Sequence, residues 1–380
     1  MFNTFINRRT TVKIMTSLSV LFVMSSQADN KTSAPIQWQE SHKNITEQYI
    51  LPSYKELMDN TKDLEQSLKK LCGQDNVTID NAVIEDTQKN FKHVYLSWAS
   101  VQAIRFGPIV YLKRTERFQY WPDKHFTGGK QLKKILNSNE NTSERIASLS
   151  LEQLQIKSVA IQGMPALERL LFNKTGRLSS EECNFSQLIG KNLSAIATEN
   201  YSGWTEPPLF FSTHVTNPQE DITTYGSHQE VATVIFNGMK TQLAIVQQLK
   251  IASAFTQLHS PKKYNKSRKL EAWRSQLSMA LIRKNLISIE KIYRYGFSAP
   301  LKIRNASKAQ EIAVLLEKVI NLSSVESMRG VTLYETLETG QQIDCITELH
   351  QAILLLQKEL SETMENSLDL VMSFNALDGD

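Results

Sequence analysis

Four stretches of this chain set chemically capable residues into otherwise apolar surroundings. In Gly163-Met164-Pro165-Ala166-Leu167-Glu168 a proline interrupts a run that otherwise reads as one long helix. In a helix interior proline removes a backbone donor and clashes with the preceding turn, at a cost of about 3 kcal/mol. If the chain pauses at Gly163 and restarts with Pro165 as first helical residue, the missing N–H does no harm. Glu168 then lies in the opening turn, where a carboxylate suits the helix dipole. Trp98, Gln102 and Arg105 recur at i, i+4 and i+7, which places an indole, an amide and a guanidinium on one helix face. A buried guanidinium needs a partner, and Glu168 is the natural one. Arg117-Phe118-Gln119-Tyr120-Trp121-Pro122-Asp123 interleaves rings and ions in a loop, a mixture common at binding surfaces. Trp273-Arg274-Ser275 opens another helical pattern in the same style. Each stretch also has a purely architectural reading: a kinked core helix, an ion pair that fixes helix register, or packing over a bundle end.

Other chemistries find little support. No His of the chain has a Glu three residues to either side, so the Glu-x-x-His pairs with which helical bundles hold metals are missing. There is no His-Glu-x-x-His helix, no Gly-x-Ser-x-Gly elbow and no phosphate-cradling glycine loop. Iron or another metal has no local ligand motif, and the cofactor stays unknown at this level.

Residues 1–28 carry Arg8, Arg9 and Lys13, then an apolar stretch from Ile14 to Met24, then Ser26-Gln27-Ala28. This is the pattern of a secretory signal peptide, too short for a bilayer span. Its removal takes three of the 43 Lys and Arg and none of the 39 Asp and Glu, which leaves a net charge of +1. No basic field for nucleic acid is present, and no transmembrane segment is expected after signal cleavage. The expected location is the periplasm or cell envelope, and the expected partner is a small ligand or an envelope protein. An oxidising compartment favours disulfides. Cys72 ends one helical pattern and Cys183 begins another, so these two are expected to pair and Cys345 to remain a buried free thiol.

The elements that must position these residues are helices. Three-four apolar spacing runs through Tyr54 to Leu71, through Phe91 to Val101, from Ser150 to Phe172 across the Gly-x-Pro break, and from Cys183 to Tyr201. Pro207-Pro208 and Asn217-Pro218 mark residues 205–226 as a linker. The pattern then resumes through Val231 to Val246, Leu270 to Leu281, Ile312 to Val319 and Ile346 to Leu360. The expected fold is all-α, with two antiparallel four-helix-bundle-like halves packed together, residues 29–204 and 227–380, suggesting an internal duplication.

Together the segments resemble the imelysin-like family of exported bacterial proteins. The likeness is carried by Trp98…Gln102…Arg105-Phe106-Gly107-Pro108, the Arg117…Trp121-Pro122-Asp123 loop, Gly163 to Phe172, Trp273-Arg274-Ser275 and the terminal Phe374-Asn375-Ala376-Leu377-Asp378. It implies an all-helical fold of two bundle-like halves, an envelope location and a link to iron uptake. It also implies a metallopeptidase label that rests on a Gly-x-His-x-x-Glu motif. Here Pro165 stands at the His position, so only Gly163 and Glu168 carry over. The expected site therefore comprises Glu168, Gly163, Pro165, Trp98, Gln102, Arg105, Trp121, Asp123, Trp273, Arg274 and Ser275, in a non-enzymatic binding or accessory protein. A metal-dependent peptidase and a structural envelope protein are the alternatives.

Overall fold

Apolar residues at three-four spacing leave one stripe of each helix dry only if helices pack on one another, and the computed structural model is built in that way. It describes residues 36–73, 80–137, 142–173, 177–218, 224–255 and 266–370. The expected signal peptide and the terminal Phe374 motif lie outside these residues.

The N-terminal elements are α1 (Trp38–Ile45), α2 (Leu51–Cys72), α3 (Asn81–Val101), α4 (Arg114–Phe118), α5 (Thr127–Leu136), α6 (Thr142–Ala147), α7 (Leu151–Gln155), α8 (Met164–Leu171) and α9 (Ser180–Thr205). The C-terminal elements are α10 (Phe211–Thr216), α11 (His228–Ala244), α12 (Ser278–Ile292), α13 (Ser298–Arg304), α14 (Ala306–Leu322), α15 (Leu333–Thr339) and α16 (Ile343–Leu368). No strand occurs among the described residues. Helix α2 packs on α3 and α9, and α14 packs on α16, while α3 against α12 and α1 against α11 join the two sets. From Ile36 onward the chain is one compact unit with a continuous core.

Local chemistry sets the helix ends. Ser150, Ser179 and Thr332 each close a capping box with the Gln or Glu three residues on. Cys72 and Cys183 are bridged, with Cα atoms 5.4 Å apart, so the end of α2 is tied to the start of α9. Cys345 is free and only half-buried, not fully buried as expected. Its thiol donates to Gln342 Oε1.

Two sequence expectations change. The Leu270 to Leu281 pattern is not one helix: residues 271–276 are turns, with Ala272 (φ 51°) and Gln276 (φ 58°) in the left-handed region, and α12 begins at Ser278. Leu270, Leu277 and Leu281 are buried as helix residues would be, with Trp273 half-buried, so periodicity alone could not tell the two apart. Within 205–226, α10 carries Phe211, which packs edge-on against Trp204 and Tyr225.

Helix α1 brings His42 to His228 at the start of α11, Nδ1 to Nδ1 at 2.9 Å. His42 is stacked on Trp38 and is buried, and its Nε2 has no hydrogen-bond partner among the described residues. Burial, with His228 adding to it, pushes its pKa down to about 3.

Candidate functional site

The Gly-x-Pro break works by close approach. A single 3-10 turn, Val159–Ile161, precedes Gly163, which caps α8, so Met164 is the first helical residue and Pro165 the second. A Cβ on Gly163 would lie 2.2 Å from the Phe118 carbonyl oxygen and 2.6 Å from that of Arg117. Only glycine lets α8 start so near the end of α4. The junction is clamped by Arg117, whose guanidinium donates to Gln162 Oε1 (3.1 Å) and Asn192 Oδ1 (2.9 Å).

Because α8 begins there, Glu168 projects into a cavity of about 410 Å³. Only 3% of Glu168 is exposed, and its Oε1 accepts the Ser275 backbone N–H (2.9 Å) and the Ser275 hydroxyl (2.7 Å). Burial raises its pKa, opposed by Ser275 and by the charges of Arg274 and Arg169. The left-handed Ala272 and Gln276 shape the turn that presents Ser275. Tyr120, Trp121, Phe126 and Trp273 supply aromatic wall, and Arg169, Arg268, Lys269 and Arg274 supply cationic wall. The Arg274 guanidinium lies 4.1 Å from the Trp273 ring centre, and Trp273 stacks on Tyr334. Desolvation, together with the like charges of Arg169 and Arg268, lowers the Arg274 pKa to about 10. Asp123 accepts the Thr127 (2.7 Å) and Gly128 (2.9 Å) amides at the start of α5 and lies 4.0 Å from Arg169.

A second cavity, of about 320 Å³, is lined by Trp98, Gln102, Arg105, Glu116, Gln119 and Lys250, among others. Trp121 and Leu249 line both cavities. Between them lies a buried polar network. Lys250 Nζ is ion-paired with Glu271 (2.7 Å) and donates to Asn285 Oδ1 (2.6 Å) and Gln102 Oε1 (3.0 Å). Burial lowers its pKa, with Glu271 opposing. Gln119 donates to Glu271 and to the Tyr95 hydroxyl, and accepts from Trp98 Nε1 (2.6 Å) and Gln102 Nε2 (2.5 Å). Tyr95 in turn lines the Glu168 cavity.

The expected site residues thus fall into two groups. Glu168, Pro165, Trp121, Asp123, Trp273 and Arg274 share one cavity, with Ser275 behind it bonded to Glu168, and Gly163 sets the helix start. Trp98, Gln102 and Arg105 share the other, but not as one helix face, because α3 ends at Val101. The expected Arg105–Glu168 pair is not formed. Arg105 lines the second cavity, where desolvation lowers its pKa and Glu116 opposes that shift. Lys250, Glu271, Arg169 and Arg268 were missed. Lys250 had a legible signal, the one charged residue between Ile245 and Ala252, flanked by Leu249 and Ile251. Glu271 had none.

The model of the family described as Imelysin matches residues 50–356. The chain belongs to the Imelysin family. Among solved structures, an imelysin-like protein from Psychrobacter arcticum 273-4 is similar at TM-score 0.71 and 17% identity, over 90% of this chain and 100% of that one. A "putative iron-regulated protein A precursor" from Parabacteroides distasonis ATCC 8503 is similar at TM-score 0.70 and 16% identity, over 87% and 97% of the two chains. No curated protein matches. The metal implied by the imelysin-like motif does not fit the residues here. Pro165 has no donor, Glu168 Oε1 is taken by Ser275, and the Asp123 oxygens are taken by α5 amides. Among the described residues no three His, Cys, Asp or Glu side chains are grouped as a metal site would need.

Proposed function

We propose that this imelysin-like protein is an exported, non-enzymatic binding or accessory protein whose ligand site is the Glu168 cavity. The observation that carries the reading is the wall of that cavity. Aromatic and cationic side chains surround a carboxylate already held by Ser275, an arrangement that orients a ligand. The volume of about 410 Å³ lies within the range of small-molecule pockets. In this role Ser275 fixes Glu168, Asp123 fixes the start of α5, and stacking on Trp273 fixes Arg274. The name of the Parabacteroides relative supports a place in iron-regulated physiology. Residues 1–28 support export to the periplasm, and residues 29–204 and 227–380 are proposed as two duplicated halves joined by 205–226.

The test is elemental analysis of protein purified from the periplasm, with proteolysis assays run with and without chelator. The reading expects no chelator-sensitive cleavage. Stoichiometric metal together with cleavage that chelator abolishes would overturn it in favour of a peptidase. Cell fractionation with amino-terminal sequencing tests export, and the mature chain is expected to start at Asp29.

A further inference from the structure

We infer that the Glu168 cavity takes a flat, unsaturated organic anion, its charge met by Arg268, Lys269 and Arg274 and its ring by Trp121, Phe126 and Trp273. The inference rests on the binding reading above and adds the chemical class of the ligand.

Charge comes first. The cavity is lined by Lys124, Arg169, Arg268, Lys269 and Arg274 against two carboxylates, Asp123 and Glu168. Asp123 lies 4.0 Å from Arg169, and Glu168, bonded to Ser275, offsets part of the Arg274 charge, so cations remain in excess along the wall. Arg268, Lys269 and Arg274 form no ion pair among the described residues. Arg274 feels the like charges of Arg169 and Arg268, and an anion placed beside them relieves that repulsion while gaining charge-assisted hydrogen bonds. A cationic ligand meets the opposite field.

Shape comes second. Rings and guanidinium planes alternate around the opening: Arg274 and Arg268 lie over Trp273 (4.1 and 5.9 Å), and Arg169 lies over Phe126 (5.7 Å). A planar π system can stack on such a surface, with its anionic group held by the guanidinium beside it. Two of the lining residues, Phe126 (φ 55°) and Ala272 (φ 51°), are non-glycines held in the left-handed region.

The experiment follows intrinsic tryptophan fluorescence of the full mature protein, with calorimetry, on titration with three probes: naphthalene-2,6-dicarboxylate, naphthalene-2,6-dimethanol and cyclohexane-1,4-dicarboxylate. The planar dicarboxylate is expected to bind, and the uncharged and saturated analogues to bind about tenfold more weakly or worse. Arg268→Gln and Arg274→Gln are each expected to weaken the dicarboxylate about tenfold. Arg268 is exposed, so its variant keeps the fold if Arg274→Gln does not. If the diol or the saturated dicarboxylate binds as tightly as the planar anion, or Arg268→Gln is neutral, the ligand class is overturned while the cavity remains a binding site. Failure of all three probes to bind protein whose circular dichroism is native overturns the ligand class, while the binding reading stands or falls by the metal and proteolysis assays above.

Discussion

Gly163 shows how much one missing methyl can decide. Its role is not a left-handed turn, since its φ is −130°, but clearance for two carbonyl oxygens. Gly163→Ala is expected to destabilise by about 3 kcal/mol or more, because the backbone of α4 must move to admit a Cβ. Chemical denaturation checks this, and a change below about 1 kcal/mol would show that the approach relaxes freely. His42 is the second residue-scale case. Above pH 6.5 it is neutral in both the folded and unfolded chain and adds no slope to stability. As pH falls from 6.5 towards about 3, the unfolded chain takes up a proton that the buried imidazole resists. Stability should therefore fall in that window by about 1.4 kcal/mol per pH unit from this residue, and stay flat above it. Urea unfolding at pH 7, 6 and 5 tests the assignment: His42→Gln should lose that slope, and an unchanged slope would remove His42 as its cause. The motif residues Gly163, Glu168 and Trp273 were legible because glycine, a carboxylate and an indole are conspicuous in apolar runs. The partner of Glu168 was not, since an Arg105 pair and a Ser275 bond make equal demands on a sequence.

At the scale of elements, periodicity located α2, α3, α9, α11, α14 and α16, because each buries one stripe along its length. It failed at 270–277, where apolar side chains are buried from a turn, and it missed short helices such as α4 and α6 that lack two full turns of pattern. The Lys250–Glu271 pair shows the coupling that these turns serve. It joins the segment after α11 to the turn before α12, with Gln102 at the end of α3 as third partner. Each member is 2% exposed, so removing one strands a charge. Lys250→Met or Glu271→Leu alone should each cost on the order of 3 to 5 kcal/mol, and the double variant should recover most of it. A double-mutant cycle with additive losses would show that the two charges do not depend on each other.

For the whole molecule, the all-α class followed from eight recurrent helical patterns, and the pairing of Cys72 with Cys183 from their places at helix ends. The packing of α3 on α12 was not legible, because helix faces give no address for their partners. Reduction of the Cys72–Cys183 bridge should lower stability by about 4 to 5 kcal/mol in the chain-entropy account, read as a lower denaturation midpoint in dithiothreitol. An unchanged midpoint would mean that the unfolded chain is equally compact without the bridge. The same bridge sets how the protein answers a mechanical load. A chain pulled by its two ends transmits tension through the sulfur atoms and leaves the intervening loop slack. The Cys72–Cys183 separation of 111 residues therefore withholds roughly 370 to 400 Å of contour length from extension until the bond is reduced.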